Sequence, residues 1–235
     1  MASVRAWAGA RGYDYRVEDD ALFDRLPPWV VAKTEGRGAV RADLARLLWI
    51  RAALAEGRWH RVAWLDADVI VVAPDLLTLS TETTHAFGRE AWVTPGRGGE
   101  GLRVRRHVHN AVCVFGPDDP VLPFLIHVAE GLMRRVAPGR HPPQFLGPKL
   151  LSHLHGVADF PLIESVGMAS PLVLRDLAST TGDGSALARL RAAHGAPLAA
   201  LNLCASLVGH TADGVTITDS LVNTVLDRLA ARGRV

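Results

Sequence analysis

The sequence contains few cysteines, and neither sign of charge is in large excess. Only two of its 235 residues are cysteine, Cys113 and Cys204, and they form no CxxC pair. Two isolated cysteines in a chain of this size predict buried thiols in a reducing compartment rather than a disulfide framework. Lysine and arginine outnumber aspartate and glutamate by only 26 to 24. This balance indicates no nucleic-acid partner, although the basic stretch 103–107 is a candidate anion-binding segment.

Long apolar runs and internal repeats are also missing. The apolar stretches are about as long as strands, well below the roughly 18 residues that a membrane span needs, and no repeat of solenoid length is found. The N-terminal residues lack the apolar core of a signal peptide. We therefore expect a cytoplasmic protein without a transmembrane segment. With 49% hydrophobic and 21% charged residues, the composition is typical of one globular domain over residues 1–235.

Helical and strand patterns alternate along the chain, which predicts an α/β fold. The helix signal is clearest over residues 39–56, where leucines and valine recur at spacings of three and four and Gly57 ends the pattern. A loop rich in glycine and arginine is expected over residues 94–106. Helices are also predicted over residues 2–10 and 219–231. A further helix is predicted with Asp119 as its cap and Pro120 as its first residue, and another is predicted to begin near Gly147-Pro148. The predicted strands are 13–17, 61–65, 69–72 and 111–115.

The most informative segment is VAWLDADVIVV, residues 62–72. Two carboxylates, Asp66 and Asp68, appear where an apolar strand ends, and ligands of open α/β sheets collect at such strand ends. Burying two carboxylates between apolar runs costs free energy unless a cation compensates them. Mg²⁺ or Mn²⁺ bound together with a diphosphate suits this arrangement, because such ions keep few protein ligands. A solvent-exposed acidic turn is the alternative.

Two further groups of polar residues are candidates. Asp43 and Arg46 lie three residues apart on the predicted helix, beside Arg41, and the helix leads directly into the strand that carries Asp66. A surface ion pair contributing about 0.2–0.5 kcal/mol is the alternative explanation. His210 follows an apolar run bounded by glycines and is a candidate metal ligand. An ordinary core or surface histidine is the alternative for His210.

These segments together resemble the DXD-motif glycosyltransferases, a family that includes bacterial capsular-polysaccharide sugar transferases, fungal outer-chain mannosyltransferases and, more distantly, clostridial glucosylating toxins. The matching segments are AVRADLARLLWI (39–50), WLDADVIV (64–71), HNAVCVFGPDDP (109–120) and QFLGPKLLSHL (144–154). The resemblance implies a GT-A nucleotide-diphospho-sugar transferase fold in one domain, with a mixed, mostly parallel sheet flanked by helices. It also implies transfer of a sugar from a UDP- or GDP-sugar to a glycan or small-molecule acceptor, usually with retention.

The resemblance also assigns roles to individual residues. Asp43 and Arg46 would bind the donor sugar, with Arg41 nearby, and Asn110 would face that sugar from the end of its strand. Asp66 would hold the ribose, the sugar or metal-bound groups. These residues would form the donor side of the site.

The remaining roles concern the metal and the acceptor. Asp68 would ligate Mn²⁺ or Mg²⁺ with Asp66, and His210 would correspond to a late histidine that binds the metal or diphosphate. Gly147 would shape the acceptor side of the cleft, with Gln144 nearby. Two features of the family are absent from this chain: the first apolar strand with its tryptophan-containing turn, and a Ser-Trp pair after His210.

Two other functions remain open at this stage. A haloacid-dehalogenase-like phosphatase also places Asp-x-Asp after an apolar strand and uses the first aspartate as nucleophile. Here, however, Asp118 and Asp119 precede Lys149, which reverses the order expected of that family. A non-catalytic or degenerate subunit that binds a nucleotide sugar without turning it over is the second alternative. The donor sugar, the acceptor and the oligomeric state have no sequence signal.

Overall fold

Helices and strands alternate along the chain in a computed structural model that describes residues 1–79, 82–142 and 144–232. Within these ranges the α-helices are α1 (Ala2–Ala10), α2 (Pro28–Lys33), α3 (Gly38–Ala55), α4 (Val121–Arg135), α5 (Pro148–Ala158), α6 (Pro171–Ala178), α7 (Ser185–Ala193) and α8 (Asp219–Arg232). The strands are β1 (Val62–Leu65), β2 (Val69–Val71), β3 (His85–Pro95), β4 (Leu102–Phe115), β5 (Leu162–Ile163), β6 (Val166–Met168), β7 (Ala200–Asn202), β8 (Thr211–Ala212) and β9 (Val215–Thr216). The predicted α/β class is confirmed.

The strands form mixed sheets. One sheet has the order β1-β4-β3-β5, a second has the order β2-β7-β6, and β8 and β9 form a hairpin. Of the six strand pairs in the described residues, only β3–β5 and β6–β7 are parallel. The prediction of a mostly parallel sheet is therefore wrong. The short connection between β3 and β4 accounts for much of the difference, because a hairpin forces its two long strands to run antiparallel.

Two local predictions are also wrong. Residues 13–17 form no strand: Tyr13 and Val17 are about half exposed, and no neighbouring strand pairs with them. Residues 94–106 are not simply a loop, because β3 and β4 extend into them as a ribbon closed by a turn at 97–99. Val93 pairs with Val104 across this ribbon, and its apolar face packs on α6 and α7, which fixes the arginine-rich segment in place.

Most of the helix predictions hold, with small shifts at the ends. The helix predicted over 39–56 is α3, and the predicted N-terminal and C-terminal helices are α1 and α8. Asp119 caps α4 as expected, since its Oδ1 accepts from the backbone N–H groups of Val121 and Leu122. No helix of the described chain is both long and apolar enough to cross a lipid bilayer.

Helix α3 is the element that positions the candidate site. It packs on β1 and α4 through buried residues that include Leu44 and Ile50. The same helix buries two charged residues, Asp43 and Arg46, whose side chains are only 10% and 7% exposed. No strand precedes β1 in the described chain, and β1 lies at the edge of its sheet. The carboxyl end of β1 therefore faces α3 at the sheet edge.

Candidate functional site

Arg46 is the centre of a buried polar network beneath the end of β1. Its Nη2 lies 2.8 Å from Oδ1 of Asp66, and its Nη1 donates to the Asn110 carbonyl oxygen at 2.9 Å. The same Nη1 lies 3.6 Å from Oδ1 of Asp43. One guanidinium thus joins α3, the turn after β1 and strand β4, and it neutralises carboxylates from two of them.

Trp64, on β1, holds both partners of the Asp66–Arg46 ion pair. Its indole N–H donates to Oδ1 of Asp66 at 2.6 Å, and its ring lies 5.5 Å from the Arg46 guanidinium carbon. Trp49 packs against it edge-to-face, with the ring centroids 5.8 Å apart. A guanidinium over an aromatic face gains electrostatic attraction as well as contact. The conformation of Asp66 is therefore fixed from two sides.

A bulge in β4 directs Asn110 into this network. Phe87 pairs with Cys113, but the next residue, Gly88, pairs with His109, so three extra residues of β4 lie between the two pairs. Asn110 is the first of these three, and its side-chain amide donates to Oδ1 of Asp43 at 2.8 Å. Bulges of this kind bend a strand and re-aim a side chain. The irregularity is thus what brings Asn110 to α3.

Gly147 closes the network immediately before α5. Its backbone N–H hydrogen bonds to Asp43. A Cβ atom at this position would lie 3.0 Å from both carboxylate oxygens of Asp43 and 3.0 Å from Oδ1 of Asn110. The close approach of backbone to carboxylate therefore needs glycine here.

Burial dominates the ionisation of the network. It raises the pKa of Asp43 and of Asp66, although the Arg46 charge acts in the opposite direction on both. Burial also opposes the charge of Arg46, but Asp66 and Asp43 outweigh it and raise the pKa of that guanidinium. The two carboxylates share one permanent cation, and a further positive group would favour the ionised form of both.

Asp68 lies at the junction of the two sheets, between β1 of the first and β2 of the second. Asn202, at the end of β7, donates its amide N–H to Oδ1 of Asp68 at 2.6 Å. The backbone N–H of Ala205 donates to Oδ2 at 2.9 Å. Both oxygens of Asp68 are held by the end of β7 and the residues that follow it, so this carboxylate has a defined orientation. Asp66 and Asp68 also act on each other electrostatically.

Three predicted site residues are not brought into this network. Arg41 turns towards the end of α2, where it donates to the Val31 carbonyl and to Thr34. Gln144 is exposed, with a left-handed backbone at φ 59°. His210 is exposed beside the carbonyl oxygen of Val208, at 3.3 Å. Their assigned roles stay predictions, with no contact to Asp66 or Asp68 in the described chain to support them.

The carboxylates at this turn are the candidates for holding a metal ion. No group of three or more His, Cys, Asp or Glu side chains in the described ranges is arranged to hold a metal. The bonds that Arg46 and Trp64 make to Asp66 both fall on Oδ1. Mg²⁺ and Mn²⁺ need only one or two carboxylates when a substrate diphosphate supplies other ligands. Asp66 and Asp68 are the two candidates for such carboxylates.

Two residues of the site were missed by the sequence analysis. Trp64 lies two positions before Asp66 in the same strand, and its indole N–H was the available clue. Asn202 is a single polar residue in the apolar stretch PLAALNLCA (197–205), the same pattern that drew attention to Asp66. The sequence analysis also missed the burial of Glu90 in β3, because nothing in its sequence surroundings distinguishes it from an exposed strand residue.

Comparison with known proteins gave no match to a family model, to a curated protein or to a solved structure. The function must therefore be inferred from the geometry of the site.

Proposed function

We propose that the protein is a metal-dependent glycosyltransferase that moves a sugar from a nucleoside-diphosphate donor to a glycan or small-molecule acceptor. The observation that carries the proposal is the convergence of Asp43, Arg46, Asp66, Asn110 and Gly147. These residues come from four segments of the chain, and they are residues to which the resemblance assigns donor or cleft roles. A GT-A arrangement of the α/β fold belongs to the same proposal.

The network suggests how the roles divide between side chains. Arg46 is buried, and both of its terminal nitrogens are engaged, so its contribution is to hold Asp66 and Asp43 rather than to reach the diphosphate. Arg103 and Arg105 on the β3–β4 ribbon are exposed cations, and they are the candidates for pairing with the diphosphate. Asp43 and Asn110 would present a carboxylate oxygen and an amide to the sugar hydroxyls.

Asp66 and Asp68 would hold the divalent cation. Oδ2 of Asp66 is the oxygen that would bind the cation, because Arg46 and Trp64 both contact Oδ1. When bound with the donor, Mn²⁺ or Mg²⁺ would neutralise the charge that grows on the departing diphosphate. Asn202 and Ala205 would keep Asp68 oriented, as residues that hydrogen bond to a metal-ligating side chain do.

The test is release of nucleoside diphosphate from a panel of UDP- and GDP-sugars in the presence of Mn²⁺. We expect turnover of at least one donor, and a loss of about 100-fold or more in kcat for Asp68→Asn, a typical effect of removing charge stabilisation. Asp75→Asn is the matched control, because Asp75 is an exposed aspartate shortly after β2. Full activity of Asp68→Asn, or activity that survives a chelator, would remove the metal from the proposal.

The assay also separates the alternatives. Binding of a donor without turnover would identify a non-catalytic nucleotide-sugar subunit. A phosphatase with Asp66 as nucleophile is less well supported, because Oδ1 of Asp66 is ion-paired to Arg46 and bonded to Trp64. Release of inorganic phosphate from simple phosphate esters would favour that enzyme instead.

A further inference from the structure

The two carboxylate oxygens of Asp66 have different surroundings. Nη2 of Arg46 lies 2.8 Å from Oδ1, and the indole N–H of Trp64 donates to the same oxygen at 2.6 Å. Since a carboxylate has about four lone-pair sites on its two oxygens, these two donors use the capacity of Oδ1. No described residue donates to Oδ2, and Oδ2 is not among the buried polar atoms that lack a partner. The side chain is 26% exposed, so Oδ2 is the oxygen left open to solvent.

The indole ring of Trp64 is held in the orientation that directs its N–H to Oδ1. One face of the ring lies against the Arg46 guanidinium, whose carbon is 5.5 Å from the ring centroid. Trp49 packs against the ring edge-to-face, with 5.8 Å between the centroids. Arg46 is itself fixed by its bond to the Asn110 carbonyl oxygen at 2.9 Å. An indole has one N–H and no acceptor, so the hydrogen bond on Oδ1 is a fixed feature of the site.

An aspartate with one free oxygen binds a cation through that oxygen alone. Ca²⁺ takes roughly six to eight oxygen ligands in a flexible geometry, and it uses carboxylates bidentately as well as through one oxygen. Mg²⁺ demands octahedral geometry with few protein ligands, and Mn²⁺ also suits octahedral oxygen sites. A carboxylate limited to Oδ2 therefore suits the octahedral ions better than Ca²⁺.

We propose that Trp64 is a positioning residue that restricts Asp66 to one coordinating oxygen, Oδ2, and thereby favours Mn²⁺ or Mg²⁺ over Ca²⁺. The inference rests on the proposed function, because it takes Asp66 as a ligand of the cation that arrives with the donor. It adds to that function the selectivity for the ion and the side chain responsible for it. Trp64 acts through Asp66, by holding Oδ1 in a hydrogen bond.

The experiment measures Tm while Mn²⁺ or Ca²⁺ is titrated in the presence of UDP or GDP, whichever gives the larger shift with the wild-type protein. In wild type the midpoint for Mn²⁺ should lie at a concentration at least about 10-fold below that for Ca²⁺, because only the octahedral ion is satisfied by one oxygen of Asp66. Mg²⁺ in place of Mn²⁺ should give the same order.

Trp64→Phe keeps an aromatic ring beside Arg46 and Trp49 but removes the N–H. Its midpoint for Mn²⁺ should rise by about 10–100-fold, the usual effect of losing a group that orients a metal ligand. Its midpoint for Ca²⁺ should change by less than about threefold, since Oδ1 becomes available to an ion that accepts bidentate carboxylates. The preference for Mn²⁺ should therefore be reduced or lost.

Trp59→Phe is the matched control. The Trp59 indole N–H donates to Oε2 of Glu56 at 3.2 Å, on the surface just after α3. This variant loses the same kind of hydrogen bond outside the network around Arg46. Both of its midpoints should stay within about twofold of wild type, as expected of a surface substitution.

The ratio of the two midpoints separates selectivity from folding. A role of Trp64 in packing alone would weaken both ions by the same factor, so an unchanged ratio in Trp64→Phe would overturn the inference. Equal midpoints for Mn²⁺ and Ca²⁺ in wild type would overturn it even if Trp64→Phe does not fold. Absence of any cation-dependent shift in wild type with either nucleotide would instead overturn the proposed function, and the selectivity with it.

Discussion

At the scale of single residues, the ionisation of Glu90 makes a prediction about stability. Burial raises its pKa from 4.5 to about 7. Stability from this group is fully present below pH 4.5 and is lost as pH rises to 7, because the unfolded carboxyl ionises more easily than the folded one. The shift corresponds to about 3 kcal/mol. Glu90→Gln should therefore be more stable than wild type by up to about 3 kcal/mol at pH 8 but by only about 1 kcal/mol at pH 5.

Urea denaturation at the two pH values checks this prediction. Cys204 and the cross-strand residue His107 are the titratable neighbours of Glu90, and both are unchanged in the variant. A stability difference between Glu90→Gln and wild type that is the same at pH 5 and pH 8 would contradict the raised pKa.

Gly147 makes a second prediction at this scale. The methyl group of Gly147→Ala would stand 3.0 Å from three oxygen atoms of Asp43 and Asn110, closer than an apolar carbon is normally accommodated. We expect a loss of about 1–3 kcal/mol in unfolding free energy, as for other overpacked sites, and a smaller donor-induced shift in Tm. Gly156→Ala is the control, because a Cβ in that part of α5 meets nothing within 4 Å. If Gly147→Ala and Gly156→Ala had the same unfolding free energy and the same donor-induced shift in Tm, the Asp43 side chain would be free to move away from the added methyl group, which would contradict the prediction.

Residues of the site differ in how far the sequence could predict them. Asp66 and Asp43 were predictable, because a carboxylate at a strand end or beside an apolar helix face is unusual in itself. Asn110 could be named only through the resemblance, since its position depends on a bulge. Arg41 has the same residue type as Arg46 five positions later, yet it turns towards α2. Which of two arginines on one helix faces a site is decided by tertiary packing.

At the scale of elements, the bulge in β4 depends on one glycine in β3. A Cβ at Gly88 would lie 2.1 Å from Cε1 of His109 and 2.3 Å from its Nε2. His109 is buried, and burial lowers its pKa to about 3, so its neutral ring fills this space. The close contact between Gly88 and His109 sets the register that places Asn110 at Asp43.

Gly88→Ala should therefore disrupt the ribbon and the site together. We expect a destabilisation of 3 kcal/mol or more, at or above the upper end of the effect of about 1–3 kcal/mol usual for overpacking, because the ring has no exposed direction in which to move. Circular dichroism during urea denaturation measures the effect. Gly131→Ala in α4 is the control and should stabilise by about 0.5–1 kcal/mol, since a helical glycine with open space gains from alanine. Wild-type stability of Gly88→Ala would refute the rigid packing of His109.

The ribbon shows why elements with long-range partners are hard to predict. Glycine and arginine in residues 94–106 predicted a loop, but the cross-strand pairing of Val93 with Val104 extends both strands into this segment. Helices α3 and α8 were predicted well, since their apolar periodicity and caps lie within the element. Strand pairing depends on residues far apart in sequence, and the segment at 13–17, which has a strand-like composition, finds no partner.

At the scale of the whole molecule, two sheets meet at the turn that carries Asp66 and Asp68. The order of elements predicts the class of fold, but it does not predict that β1 and β2, on either side of this turn, belong to different sheets. This junction brings α3, β4 and the segment after β7 to one place. The site therefore couples both sheets, and ligand binding there should stabilise the molecule as a unit.

The charge balance of that junction gives the last prediction. Asp43, Asp66 and Asp68 stand near one buried cation, Arg46, and burial raises the pKa of the first two. In the proposed function a divalent cation would compensate these carboxylates, and two carboxylates alone would bind Mn²⁺ weakly until a diphosphate added its oxygens. Mn²⁺ alone and UDP or GDP alone should each shift Tm only slightly. Together they should shift Tm by more than the sum of the two single shifts, by about 5–10 °C when the ligand is 100-fold above Kd.

Thermal unfolding with each ligand singly and in combination measures this coupling. Asp68→Asn should abolish the coupling, while Asp75→Asn should keep it. A full shift with Mn²⁺ alone would reveal a resident metal site, and an equal shift in a chelator would show that the nucleotide binds without a cation. Either result would contradict a cation that binds only together with the donor.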